Sequence, residues 1–215
     1  MRILTLLFVD TNTKSPESFF FFSFLSDENI KELSRYKLEE TKKEKAVSMI
    51  LKNKYIGEFY LNESGKPLSK SCYFNISHSK GYVVFIKDDV PVGVDIEKIR
   101  PVEDDLIDYI SSREEKKYIT TDQKFYVIWT NKESLTKWLG TGIKEKIKDI
   151  PSIPINDIKT YKNKTYRSQT VKYKDLVISV TRESTEPFEI KIQEENLWIR
   201  ITHYLKANKD YISLL

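Results

Sequence analysis

Val92-Gly93-Val94-Asp95-Ile96-Glu97 is the stretch from which the rest of the chain can be read. In a strand, side chains alternate between faces, so Asp95 and Glu97 leave the backbone on the same side while Ile96 between them points the other way. Two carboxylates therefore share one small space. A second stretch, Trp129-Thr130-Asn131-Lys132-Glu133-Ser134-Leu135-Thr136-Lys137, has helical character. Residues four apart stack on one face of a helix, which puts Glu133 beside Lys137 with Trp129 one turn earlier. A strand with two acids and a helix with a third acid and a cation have the makings of a metal-and-phosphate site.

Towards the N-terminus, Tyr73 to Ile76 and Tyr82 to Ile86 read as two further strands ahead of Val92 to Ile96, separated by turns. Asn62-Glu63-Ser64-Gly65-Lys66-Pro67 is a loop before them. Ser26 to Tyr60 turns helical, opened by a Ser26-Asp27-Glu28 cap, with Ala46, Ile50, Leu51 and Tyr55 near one face, and is expected to cover a sheet. Ile3 to Val9 is an apolar run expected as a buried strand, and a loop with Lys14, Ser15 and Pro16 follows it. Towards the C-terminus, Pro101 opens a second block with helices near Leu106 to Ile119 and Lys124 to Leu139. Tyr161 to Tyr166 and Gln169 to Tyr173 read as a hairpin with Asn163-Lys164 at its tight turn, and Leu176 to Val180 and Phe188 to Ile192 as further strands. Trp198, Ile201 and Leu205 fall on helical spacing, which predicts a peripheral helix in the tail from Glu194 to Leu215. The sequence does not repeat, yet helices and strands come in a similar order in both halves. That predicts an α+β fold of two similar lobes, residues 1–98 and 99–215.

The 215 residues are enough to bury a sizeable core, and 13 Tyr with 11 Phe are more than an unfolded polyelectrolyte carries. A net charge of +4 suits an anionic partner such as a phosphorylated small molecule or an acidic protein, but is too small and dispersed to argue for nucleic acid. The single cysteine, Cys72, excludes an internal disulfide, and there is no Cys and His cluster at zinc-ligand spacing. A reducing, cytoplasmic setting is expected. Phe19 to Leu25 is too short to span a bilayer, and Met1-Arg2-Ile3-Leu4 runs into Asp10 without a signal-peptide pattern, so neither membrane insertion nor secretion is expected.

Carboxylates without His or Cys favour a hard cation, and Mg²⁺ typically takes one or two carboxylates, waters and substrate phosphate oxygens. Asp95, Glu97 and Glu133 fit that composition. Taken alone, Asp95 and Glu97 read as the exposed face of an edge strand, Glu133 as one of many surface glutamates, and Lys137 as a solvated partner of Glu133 worth a few tenths of a kcal/mol. Gly65-Lys66-Pro67 puts a lysine in a rigid turn. Asn75-Ile76-Ser77-His78-Ser79 puts a hydroxyl, an imidazole and backbone N–H groups at a strand end. Both segments are able to receive phosphate, and each also has an ordinary local explanation.

In order along the chain, Gly65-Lys66-Pro67, Phe74-Asn75-Ile76-Ser77-His78-Ser79, Gly93-Val94-Asp95-Ile96-Glu97 and Trp129-Thr130-Asn131-Lys132-Glu133-Ser134 with Lys137 and Gly140-Thr141-Gly142 resemble the 4′-phosphopantetheinyl transferases of the surfactin-synthetase-activating type. The resemblance runs from about Lys66 to Ile143. It implies that family's fold, a pseudo-dimer of two α+β lobes related by a pseudo-two-fold with coenzyme A bound between them, and a monomeric chain. It implies transfer of the 4′-phosphopantetheine arm of coenzyme A to a serine of an apo acyl or peptidyl carrier protein, releasing adenosine 3′,5′-bisphosphate. By the same resemblance, Asp95, Glu97 and Glu133 hold Mg²⁺. Lys66, Pro67, Ser77, His78 and Lys137 contact coenzyme A, and Glu133 and Lys137 are catalytic. A carboxylate that shares a cation is a weak base, so the choice between Glu133 taking the serine proton directly, acting through a water or only positioning the serine stays open.

One part of the family pattern is weaker. Family members usually carry basic residues, often an arginine, in the early helical region to grip the 3′-phosphate of coenzyme A. Ser48 stands near that place, with Lys42, Lys43, Lys45 and Lys52 around it and Arg35 as another candidate; lysine offers a point charge without bidentate geometry. Two other functions use the same residues: a carrier-protein-binding module without transfer activity, and a Mg²⁺-dependent phosphohydrolase of a nucleotide with water as nucleophile.

Overall fold

The computed structural model of the chain describes residues 1–12, 25–142 and 146–195. Strand β1 (Arg2–Asp10) is followed by helices α1 (Asp27–Leu33) and α2 (Glu39–Tyr55), a small hairpin of β2 (Tyr60–Leu61) and β3 (Pro67–Leu68), and strands β4 (Tyr73–Ser79) and β5 (Tyr82–Asp88). After a three-residue break come β6 (Val92–Lys98), helices α3 (Asp104–Ile110), α4 (Arg113–Tyr118) and α5 (Asp122–Leu139), a 3₁₀ turn at Ile147–Asp149, and strands β7 (Ile158–Tyr161), β8 (Lys164–Tyr173), β9 (Leu176–Arg182) and β10 (Phe188–Glu194).

The two halves share one connection pattern. In the first, β1, α2, β4 and β5 give the antiparallel order β1-β5-β4; in the second, β6, α5, β8 and β9 give the antiparallel order β6-β9-β8. The fold is thus α+β with two similar lobes, each a sheet with a long helix laid across it. The lobes interleave in sequence, however. β6 ladders with β9, and β10 returns to pair in parallel with β1, so a cut after Lys98 divides the chain differently from the sheets. The repeat begins at Val92, because ladder partners and not chain neighbours decide where a strand belongs.

Alternation along the strands builds the layers. Leu7, Val9, Phe74, Val83 and Phe85 pack against Ala46, Val47 and Leu51 of α2. The opposite faces of β1 and β5, through Leu6, Phe8, Val84 and Ile86, meet Val92, Val94, Ile96, Ile178 and Val180 of the second sheet. Phe125, Leu135 and Trp138 of α5 close over Tyr166 and Val177 on the far side. The result is a helix, sheet, sheet, helix sandwich. Each fully buried Val, Leu or Ile in the middle layer contributes about 1.5–3 kcal/mol, which makes that layer the main bond between the lobes. An ion-pair cluster adds to it where Arg182 of β9 donates from Nε to Asp88 of β5 at 2.5 Å and Arg2 of β1 to the same carboxylate at 2.8 Å.

Three expected elements differ in detail. The helical stretch from Ser26 to Tyr60 is two helices, since Ser34 ends α1 and its hydroxyl turns back onto Lys31 O. The stretch from Leu106 to Ile119 breaks at Ser111-Ser112, where Ser112 and Glu115 form a reciprocal capping box that starts α4. The hairpin turn is Lys162-Asn163, both at positive φ as a tight two-residue turn requires, and β8 then runs unbroken through Gln169 to pair with β7 and β9. The loop with Lys14, Ser15 and Pro16, the Phe19 to Leu25 run except Leu25, and the tail helix around Trp198, Ile201 and Leu205 lie outside the described residues. Among the described residues no helix is long and apolar enough to cross a membrane.

Candidate active site

The edge strands β4 and β6 meet without a backbone ladder between them. Side chains join them instead. Asn75, Ser77 and Ser79 share one face of β4 by alternation. Asn75 Oδ1 accepts from Val94 N at 2.9 Å, Ser77 Oγ donates to Asp95 Oδ1 at 2.9 Å, and Ser79 Oγ donates to Glu97 Oε2 at 2.6 Å. This seam brings residues of the first lobe onto the two acids of the second.

Helix α5 supplies the other wall. Its N-terminus is capped by Thr121, its C-terminus ends at Gly140 in the left-handed region, and between them it lies directly on β6. A Cβ at Gly93 would come within 2.2 Å of Ser134 O and 2.4 Å of Trp138 N, so only glycine lets the helix approach this closely. That approach carries Lys137 to Asp95: Lys137 Nζ donates to Asp95 Oδ1 at 2.6 Å and to Ser77 Oγ at 2.8 Å. One turn before Glu133, Trp129 Nε1 makes a long 3.4 Å hydrogen bond to Glu97.

Ser77, His78, Asp95, Glu97, Glu133 and Lys137 line a single cavity of about 610 Å³, and Pro67 stands at its border. Its far end is walled by α2 and by Phe59, whose ring lies 4.7 Å below Lys52 Nζ. Of the basic candidates, Lys45 and Lys52 line the cavity beside Ser48, while Lys42 pairs with Glu39. Burial holds Lys52 below the ordinary lysine range, against the pull of Glu32.

Charge is crowded at the near end. Burial, then the charge of Asp95, pushes Glu133 up to about 7, with Lys137 opposing and Glu97 adding to the rise. Glu97 is also raised, by burial first, with Ser79 opposing and Asp95 adding. Asp95 Oδ2 is buried with no hydrogen-bond partner. Three mutually repelling carboxylates and an orphaned oxygen are a donor set that a divalent cation would relieve, and oxygen-only donors suit Mg²⁺. As the side chains stand, no three such groups among the described residues are gathered closely enough to hold a metal. Lys137 and Ser77 occupy Asp95 Oδ1, and Ser79 and Trp129 occupy Glu97, so binding requires these contacts to give way.

Lys66 is placed elsewhere. Its Nζ donates to the carbonyl oxygens of Lys137 at 2.5 Å and Trp138 at 3.3 Å, capping the carboxyl end of α5 where the helix dipole favours a cation. Burial, with Lys164 nearby, brings it down to about 8. Two residues that carry the site went unread in the sequence. Glu44 of α2 holds His78 from behind. Lys132, fully buried inside the Trp129–Lys137 stretch, pairs with Glu115 at 2.8 Å and donates to Ile110 O and Ile147 O, fixing α5 against its neighbours. The Ser112-x-x-Glu115 spacing was a legible signal for half of that pair; Glu44 had none.

The fold is a two-lobed α+β sandwich with acids, a lysine and a histidine around one cleft. The chain matches the 4′-phosphopantetheinyl transferase superfamily over residues 91–197. It is 37% identical over 125 residues to the 4′-phosphopantetheinyl transferase gsp of Aneurinibacillus migulanus, covering 54% of this chain and 47% of that protein. It is 30% identical over 156 residues to the 4′-phosphopantetheinyl transferase ffp of Bacillus subtilis, covering 64% and 70%. With the 4′-phosphopantetheinyl transferase Sfp of Bacillus subtilis (strain 168) it shares 28% over 156 residues, again covering 64% and 70%. A solved structure, the Thermotoga maritima holo-[acyl-carrier-protein] synthase (AcpS), aligns over 45% of this chain and 64% of that one at 16% identity and a TM-score of 0.35, too low to carry weight. This chain belongs to the 4′-phosphopantetheinyl transferase family. The match spans about half the length of the first relative.

Proposed function

We propose that this protein transfers the 4′-phosphopantetheine arm of coenzyme A to a serine hydroxyl of an apo acyl or peptidyl carrier protein. The serine Oγ attacks the phosphorus that bears the arm. The bond to the bridging oxygen breaks, adenosine 3′,5′-bisphosphate leaves with the electron pair, and the serine proton passes to a base. The observation that carries this reading is the single cleft in which Asp95, Glu97, Glu133, Lys137, Ser77 and His78 converge in a chain of this family.

Asp95, Glu97 and Glu133 would hold Mg²⁺, which when bound offsets pyrophosphate charge. Lys137, already at the mouth of the carboxylate group, moves from Asp95 to a phosphate oxygen and stabilises the charge that builds on the leaving side. His78 and Ser77 hold the phosphates from the β4 side. Lys45 and Lys52 stand at the α2 end of the cavity, where they replace an arginine as the cations for the 3′-phosphate. Glu133, as a ligand of the cation, is a weak base, so it takes the serine proton directly, passes it through a water, or positions the serine hydroxyl. Lys66 acts indirectly, by fixing the end of the helix that bears Lys137.

Incubation with coenzyme A, Mg²⁺ and a set of fatty-acid, polyketide and peptide carriers should raise the mass of at least one carrier by one phosphopantetheine group. No shift on any of them, with folded protein, overturns the reading. Release of inorganic phosphate from nucleotides instead would identify the hydrolase alternative. Asp95→Ala should fold and lose transfer.

A further inference from the structure

His78 enters the cleft with a carboxylate behind it. Glu44, on α2, is only 5% exposed, and both of its oxygens are engaged by the β4–β5 hairpin. Oε2 lies 3.0 Å from His78 Nδ1, and Oε1 accepts the backbone N–H of Gly81 at 2.6 Å. Burial pushes the Glu44 carboxyl up, but the hydrogen bonds from His78 and Gly81 and the charges of His78 and Lys45 outweigh it and hold the group below its usual range. An ionised carboxylate only accepts, so Nδ1 of His78 carries a hydrogen and Nε2 is the nitrogen left for the cleft. The Gly81 contact is a second anchor. It fixes the carboxylate to the turn that follows β4, so ring orientation is set by two points on the backbone and not by free rotation.

We propose that Glu44 is a positioning residue for the transfer reaction: it accepts from His78 Nδ1–H and so turns Nε2 toward the cleft, where a ring with hydrogen on both nitrogens donates from Nε2 to an anionic oxygen of coenzyme A. The proposal rests on the function proposed above. Glu44 touches no substrate; it acts through His78, as an outer carboxylate orients a working imidazole. The other charges lining the cavity are Glu32 on α1, Lys45 and Lys52 on α2, Asp95 and Glu97 on β6, and Glu133 and Lys137 on α5.

The test begins without substrate. The chain has two histidines, His78 and His203, so long-range ¹H–¹⁵N spectra of the imidazoles can be assigned with a His203→Gln control. Neutral His78 should show Nδ1 protonated in the wild type. Glu44→Gln, which presents an amide N–H to Nδ1, should switch it to the Nε2–H form, and Glu44→Asp, with its shorter reach, should give a mixture. In the transfer assay Glu44→Gln should raise the KM for coenzyme A roughly tenfold with kcat little changed, an effect of about 1.4 kcal/mol. The Glu44→Gln/His78→Ala double variant should be no worse than His78→Ala, because both remove the same contact. A bare Nδ1 in the wild type, or an unchanged tautomer in Glu44→Gln, overturns the proposal. A wild type inactive on every carrier sinks the transferase reading instead, since the tautomer is read from free protein.

Discussion

Helices α2 and α5 hold equivalent places in the two lobes, yet they are fastened to their sheets by different chemistry. α2 lies on β4 and β5 through Ala46, Val47 and Leu51 against Phe74, Val83 and Phe85. α5 turns hydroxyls and amides towards its sheet: Thr130 pairs with Ser179 at 2.7 Å, Asn131 donates to Thr170 at 2.6 Å, and Ser134 pairs with Thr181 at 2.8 Å. Lys132 adds its buried ion pair with Glu115. Apolar contact is non-directional and tolerates small rotations, whereas hydrogen bonds fix angle and register. α2 walls the cavity and, through Glu44, holds His78. α5 sets Lys137 within a hydrogen-bond length of Asp95 and places Glu133 on the wall of the same cavity, and the polar interface is suited to that.

The contrast is open to attack by substitution. Lys132→Ala should have the largest effect, since it strands the buried Glu115 carboxylate; about 3–5 kcal/mol of stability should be lost in urea unfolding. Leu51→Ala on α2 should cost about 2–5 kcal/mol but leave activity per folded molecule near that of the wild type. If it removes activity as fully as an α5 change of equal cost, the division of labour is wrong. Glu133 gives a pH test. Its folded value of about 7 lies above the ordinary 4.5, so the folded state resists its ionisation; stability should fall as pH rises from 4.5 through 7, by up to about 3 kcal/mol. Glu133→Gln should remove most of the fall, leaving the part that the raised Glu97 contributes, and added Mg²⁺ should lessen it in the wild type; urea midpoints across pH, in chelator and in Mg²⁺, decide. Smallest in stability is Ser134→Ala, about 1 kcal/mol, because Thr181 keeps its partner Ser168. Its transfer rate should drop by more than that cost explains; a drop no larger than for Leu51→Ala would make the polar interface mere packing.

The site was legible in the sequence to an uneven degree. Alternation put Asp95 and Glu97 on one face, and the four-residue helical step put Glu133 with Lys137, because both periods are properties of the backbone alone. Ser77 and His78 were legible as polar groups at a strand end. What they face was not, since Ser77 reaches Asp95 across 18 residues and Lys137 reaches Ser77 across 60. Lys66 read as a phosphate ligand, and its contact with the carbonyls at the end of α5, 71 and 72 residues away, was not legible. Glu44 sat unremarked in a helix crowded with charge, and only the turn at Gly81 distinguishes it from its neighbours.

Sequence by itself determined the elements, their alternating or helical faces, and the order of four motifs, because those depend on contacts within a few residues. Tertiary structure alone decided that β6 belongs with β9, that β10 returns to β1, and that the acids of one sheet are met by hydroxyls of the other. Those are pairings between distant segments, selected by which apolar faces can be buried together and which polar groups must then find partners. The glycine at 93 links the two levels: a single residue readable in the sequence, whose necessity shows only when α5 lies within 2.2 Å of where its side chain would be.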